Sequence, residues 1–141
     1  MSIKSLLFSF QGRVNRKTFW IWNVLYYLAI MVCSQGINFL YPSLVHVLLP
    51  IILLGLLIPD LAITAKRWHD RNKSTWWLLL NIPLVIGRLS LPTFDPAVAA
   101  QPSLLQSLIS ISALGCGLWV LVECGFMKGS EGENRFGSEP K

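Results

Sequence analysis

The sequence predicts an all-α integral membrane protein with four transmembrane helices, and three observations predict it. First, 53% of the 141 residues are hydrophobic and 13% are charged, about half the charged share of an ordinary soluble domain. Mean hydropathy is +0.54. Second, no Asp, Glu, Lys or Arg occurs from Thr18 through Pro59. That stretch is long enough to cross a bilayer core of about 30 Å twice, at about 20 residues per crossing. A soluble fold has nowhere to bury so much unbroken apolar surface. Third, the basic residues fall into three clusters separated by apolar segments. Together these features exclude a soluble enzyme, a disordered tail and a nucleic-acid-binding domain.

The elements follow in order as one membrane domain, 1–141. In the N-terminal arm, 1–18, Ile3, Leu6, Leu7 and Phe10 recur at helical spacing beside Lys4, Gln11 and Arg13. This pattern predicts a short interfacial helix in the headgroup plane. The first span is expected at 19–39, opened by Phe19, Trp20 and Trp22, and Tyr41-Pro42-Ser43 then turns the chain tightly. The second span is expected at 44–65; its Pro50 and Pro59 are tolerated where neighbours re-satisfy the freed carbonyls. A basic cytoplasmic loop, 66–74, separates it from a third span at 75–91, which Trp76 and Trp77 open. This span is short because Arg88 arrives early, so Arg88 is expected to snorkel to the far boundary. Pro92 through Pro102 reads as a loop, 103–126 as the fourth span, and 127–141 as a polar tail.

Orientation follows from the lysines and arginines, which concentrate in cytoplasmic segments. Eleven of the 12 lie in the arm, the central loop or the tail, and only Arg88 falls elsewhere. Both termini and the central loop are therefore expected to face the cytoplasm. Trp68, Trp76 and Trp77 are expected at the same interface, where amphipathic rings prefer to sit. Arg13, Arg16 and Lys17 precede a long apolar run without a small-residue cleavage site, so the first span is expected to stay as an anchor. Cys33, Cys116 and Cys124 lie in apolar stretches without Cys-x-x-Cys spacing. They read as packing residues rather than a disulfide framework or metal site. No cofactor is expected.

Three separated segments carry a resemblance. The first runs from Phe8-Ser9-Phe10-Gln11-Gly12-Arg13-Val14-Asn15-Arg16 through Lys17 and Phe19 into Trp20. The second is Lys66-Arg67-Trp68-His69-Asp70-Arg71-Asn72-Lys73-Ser74-Thr75-Trp76-Trp77, and the third Gly132-Glu133-Asn134-Arg135-Phe136-Gly137. In order and spacing the chain resembles the small bacterial inner-membrane family called domain of unknown function 805, the YhaH-like proteins. It departs at Trp68, Thr75 and Ser138, where the family pattern has leucine, glycine and proline. The resemblance implies a four-helix inner-membrane protein and adds no activity.

Candidate chemistry is sparse, and each candidate has a structural alternative. Arg13, Arg16, Lys66, Arg67, Trp68, His69, Asp70, Arg71, Lys73, Asn134 and Arg135 form a candidate site for a lipid headgroup or a partner. Arginine grips phosphate with paired hydrogen bonds, and anionic lipids lie at the cytoplasmic face. The same charges serve equally to enforce topology. His69-Asp70 offers an acid–base pair. Adjacent residues on a helix do not face each other, and no nucleophile motif accompanies them, so hydrogen bonds to the tail or arm are the stronger expectation. Asp60 and Glu123 are candidate intramembrane acids, some 7 to 9 Å inside the cytoplasmic boundary at about 1.5 Å per residue. An acid there marks a functional site by default: either the two share a proton or cation, or each pairs with a snorkelling arginine such as Arg13, Arg16 or Arg67. Ala113-x-x-x-Gly117 gives the fourth span a small-residue face for an intramolecular or a subunit contact.

The leading functional expectation is a non-enzymatic accessory or interaction protein, with a membrane-protein partner or a second copy. An oligomeric small transporter or channel using Asp60 and Glu123 is the second. An anionic-lipid-binding protein or lipid-headgroup enzyme using the central loop is the third. The bilayer is an expected partner, nucleic acid is not.

Overall fold

The computed structural model describes residues 2–90 and 103–140. Helix α1 (Ile3–Phe8) is capped by the Ser2 side chain, which accepts from the Ser5 N–H. Asn15 caps α2 (Arg16–Leu40) in the same way through Thr18, as short polar side chains do at helix starts. A 3₁₀ turn, Pro42–Leu44, leads into α3 (Val45–Asp70), which passes through Pro50 and Pro59 without interruption. After a tight turn at Asn72, which takes φ 56°, a 3₁₀ stretch at Thr75–Leu80 precedes α4 (Asn81–Ser90). Helix α5 (Leu104–Val120) opens with a reciprocal Ser103–Gln106 capping box. It ends in a π-helical turn, Leu121–Phe126.

Three of these segments are long and apolar enough to cross a membrane: Arg16–Leu40, Pro42–Asp70 and Leu104–Phe126. The expected third span is Thr75–Leu89, shorter and partly 3₁₀. A 3₁₀ turn rises about 2.0 Å per residue against about 1.5 Å for an α-helix, so this segment reaches further than its residue count suggests. The end of that span at Leu91 and the loop expected at 92–102 lie outside the described residues.

Two expectations need correction. Residues 66–70 are not a loop: α3 continues to Asp70, because Lys66, Arg67, His69 and Asp70 each find a partner on the arm or the tail. Trp68 is not an interface aromatic. It is fully buried and stacked on Trp77, with ring centroids 5.3 Å apart.

The core sits at this end of the bundle, where Val14, Phe19, Ile63, Trp68, Val120 and Cys124 pack together. The outward faces of α2 and α5 stay apolar and exposed, as suits a lipid environment. The small-residue face of α5 is used within the chain. A Cβ on Gly87 of α4 would lie 3.7 Å from that of Ala113, and one on Gly117 would lie 3.0 Å from Leu84. Helices α4 and α5 thus approach closely, as small residues allow.

Candidate functional site

The end of α3 draws together the three motif segments. The Asp70 side chain is 5% exposed and its carboxylate sits between two arginines. Arg13 donates from Nε and Nη2 to Asp70 Oδ1 at 3.1 and 2.9 Å, and Arg67 Nη1 donates to Oδ2. The same Arg13 guanidinium donates to the tail carbonyls of Ser130 (2.6 Å), Gly132 (2.6 Å) and Gly137 (3.1 Å). Its planar, multi-donor fork suits this bridging role, which an ammonium would not fill. The Asp70 carbonyl accepts from the Ser130 N–H and hydroxyl. A Cβ on Gly129 would collide with the Asp70 carboxylate, so only glycine lets the tail pass here.

The tail motif folds to fit. Asn134 and Gly137 exchange backbone hydrogen bonds in a tight turn, and Gly132 and Gly137 take φ of 69° and 124°, a region that favours glycine. The turn presents Phe136 flat against the His69 ring, with centroids 3.9 Å apart and planes at 4°. Asn134 donates to the His69 carbonyl at 3.0 Å, and Arg135 to the Asn72 carbonyl at 2.9 Å. His69 Nδ1 lies 3.1 Å from the Gly12 carbonyl and Nε2 2.9 Å from the Thr75 hydroxyl. A carbonyl only accepts, which assigns the proton to Nδ1 and leaves Nε2 to accept from Thr75.

The remaining cations of the central segment are engaged in the same way. Fully buried Lys66 donates to the Ser5 and Leu6 carbonyls at 2.7 and 2.6 Å, docking α1 onto α3. Five successive carbonyls at the end of α5 each receive a side-chain donor. Cys124 takes Arg67 Nε, Gly125 takes Trp20, Phe126 takes Arg16, Met127 takes Arg67 Nη2, and Lys128 takes Arg71. The π turn frees these carbonyls, and cations are the favoured partners at a helix C-terminus. Glu123 pairs with Arg71 at 3.2 Å and Lys73 at 3.1 Å, and Lys73 lies over the Trp77 ring at 4.3 Å.

Asp60 forms a second, deeper cluster. Its carboxylate accepts from Arg88 Nη1 at 2.7 Å and Trp22 Nε1 at 3.2 Å. Arg88 also donates to the Tyr26 and Tyr27 hydroxyls at 3.3 and 2.9 Å. Because Gly87 is level with Ala113, Arg88 lies near the middle of Leu104–Phe126 rather than at the far boundary. The expected partners of the two acids were therefore mistaken. Asp60 takes Arg88 in place of Arg13, Arg16 or Arg67, and Glu123 takes Arg71 and Lys73. A lone arginine and a lone acid in neighbouring apolar segments were the signal for the Asp60 pair, since each is costly in a membrane without the other. The two acids sit in separate clusters and do not share a site.

The family described as Protein of unknown function (DUF805) matches residues 7–138 of this chain. The chain belongs to this family. It is similar to the uncharacterized protein YiiR of Escherichia coli (strain K12), 32% identical over 99% of this chain and 90% of that protein. It is also similar to the inner membrane protein YhaH of the same strain, 24% identical over 94% of this chain and 87% of that one. No solved structure matches. The three segments that carry the family resemblance are the three that meet at Asp70. Thr75, one of the departures from the family pattern, is itself a partner of His69.

Proposed function

We propose that this chain is a four-crossing inner-membrane protein, with both termini in the cytoplasm, that works by association with other membrane proteins rather than by catalysis. The observation that carries the reading is the engagement of the polar groups around Asp70. Both ring nitrogens of His69 and both carboxylate oxygens of Asp70 are occupied from within the chain. Each of these atoms already has a partner within the chain, and the group behaves as a clasp joining arm, α3 and tail. Transport through Asp60 and Glu123 has less support, because each acid is ion-paired and the two lie apart. Headgroup chemistry at the central segment has less support for the same reason: Lys66 and Arg67 are fully buried.

Parity supports the fourth crossing. The start of α2, the end of α3 and the tail after α5 all meet at the clasp, and α5 then begins on the opposite side. A crossing between Asp70 and Leu104 would reconcile these positions, and the apolar segment Thr75–Leu89 is the candidate for it. The inner-membrane placement is supported by YhaH, named as an inner membrane protein, and the cytoplasmic side by the basic clusters.

Native mass spectrometry of the protein extracted in its own lipids tests the association. A reproducible complex with another membrane protein is the expected result, with this chain at fixed stoichiometry. A monomer free of protein partners across several gentle extractions would contradict it.

A further inference from the structure

Helices α2 and α5 make no contact with each other along their lengths; they are joined only at the clasp end, where Trp20 packs on Gly125 and Phe126. Between them runs a lateral cleft of about 740 Å³, floored by Leu84 and Arg88 of α4. That volume falls in the range of about 300–1,000 Å³ typical of small-molecule sites. On α2 its wall extends from Phe19 to Met31, about 18 Å at 1.5 Å per residue. This is close to the depth of one leaflet, half of a core of about 30 Å. A spanning helix needs the full thickness, whereas one acyl chain needs one leaflet. The walls are mostly apolar, and the polar groups on the floor are paired: Arg88 with Asp60 and Tyr27, and Asn23 with the Phe19 carbonyl.

Three exposed cations, Arg16, Lys17 and Lys128, lie at the clasp end, beside the Trp20–Phe126 contact where α2 and the end of α5 meet. Lys17 is exposed one turn before Trp20, on the helical stripe that continues through Val24 and Leu28 along the cleft. Exposed Arg16 reaches the Phe126 carbonyl at 3.0 Å, which sets it two residues from exposed Lys128. Neither the Lys17 nor the Lys128 ammonium has a partner among the described residues. Asp70, Glu131 and Glu139 border the hollow that Arg16 and Lys128 also line; Asp70 is already matched by Arg13 and Arg67, and Glu139 accepts from the Gly132 N–H at 2.8 Å. Three cations against two carboxylates favour a headgroup with a single negative charge.

We propose that this cleft binds one monoanionic phospholipid, its phosphodiester at Arg16, Lys17 and Lys128 and one acyl chain lying along α2 from Trp20 to Met31. Assignment to the cytoplasmic leaflet rests on the orientation proposed above; binding itself is measured on purified protein and does not. The phosphate chemistry could also come from a soluble phosphate ester, and the test separates the two.

The full chain is purified and titrated with phosphatidylglycerol and with phosphatidylethanolamine of identical chains, and lipid retention is read by native mass spectrometry. The wild type is expected to retain one phosphatidylglycerol in preference to phosphatidylethanolamine. Each cation near an anionic lipid contributes about fivefold in affinity, so Lys17→Gln with Lys128→Gln is expected to weaken phosphatidylglycerol retention on the order of 25-fold. Neither substitution removes a contact of the fold. Val24→Trp, at an exposed cleft position, is expected to abolish retention of either lipid, and glycerol phosphate is expected not to compete. Equal retention of the two lipids by the wild type, or unchanged retention in Val24→Trp, would overturn the proposal. Displacement of the lipid by glycerol phosphate would replace it with a soluble-ester site.

Discussion

Asp70→Asn is expected to destabilise the protein by about 3–5 kcal/mol and to release its tail. The change conserves shape and removes only the charge. It leaves Arg13 and Arg67, both almost fully buried, without their shared anion, and an uncompensated buried charge costs about that much. The Arg13 guanidinium also holds three tail carbonyls, so losing its anchor loosens residues 130–137 together. Two measurements check this on the purified protein: the melting temperature in detergent and the rate of proteolytic cleavage within the tail. Both should change in the same variant. An unchanged melt with a protected tail would mean that Asp70 is not the centre of the clasp.

Arg88→Leu and Asp60→Leu are each expected to cost about 3–5 kcal/mol, while the double variant recovers most of the loss. Asp60 lies ten residues before Asp70, about 15 Å along α3, and its partner meets it at the middle of the bundle. Each single change strands a charge where water cannot reach it. The double change substitutes an apolar pair of similar bulk, which is often neutral or stabilising in such places. A double-mutant cycle on unfolding in detergent reads the coupling directly. Additive losses in the double variant would deny the pair this structural role and return Asp60 to consideration as a working group in transport.

The sequence made the membrane class plain, because the apolar run from Thr18 to Pro59 admits no soluble alternative. Helices α2, α3 and α5 lie within the three segments long and apolar enough to cross a membrane, and their apolar stretches are bounded by charge that the sequence displays. The end of α3 was misread because the cluster Lys66–Asp70 looks like a solvated loop in composition. Its helical, buried state depends on partners 50 to 65 residues away, such as Gly12 and Asn134, and local composition carries no trace of them. The expectation that His69 and Asp70 hydrogen-bond the arm or tail rested on geometry, since neighbouring helical residues diverge, and that geometry holds. The Asp60 partner was missed because Arg88 was assigned to the boundary by the habit of snorkelling. Two tyrosines and an acid at mid-depth hold Arg88 against that tendency. Lys17 and Lys128 were unremarkable in sequence, and they stand out only once the neighbouring cations are seen to be engaged.

A clasp gathers the arm, the end of α3 and the tail at one end of the bundle, and the proposed topology adds a fourth crossing between Asp70 and Leu104. A topology reporter inserted at Ser43, at Ser103 and after Ser138 tests this most directly. The first two are expected outside the cytoplasm and the third inside it. Ser103 and Ser138 reporting from the same side would remove a crossing and contradict the account.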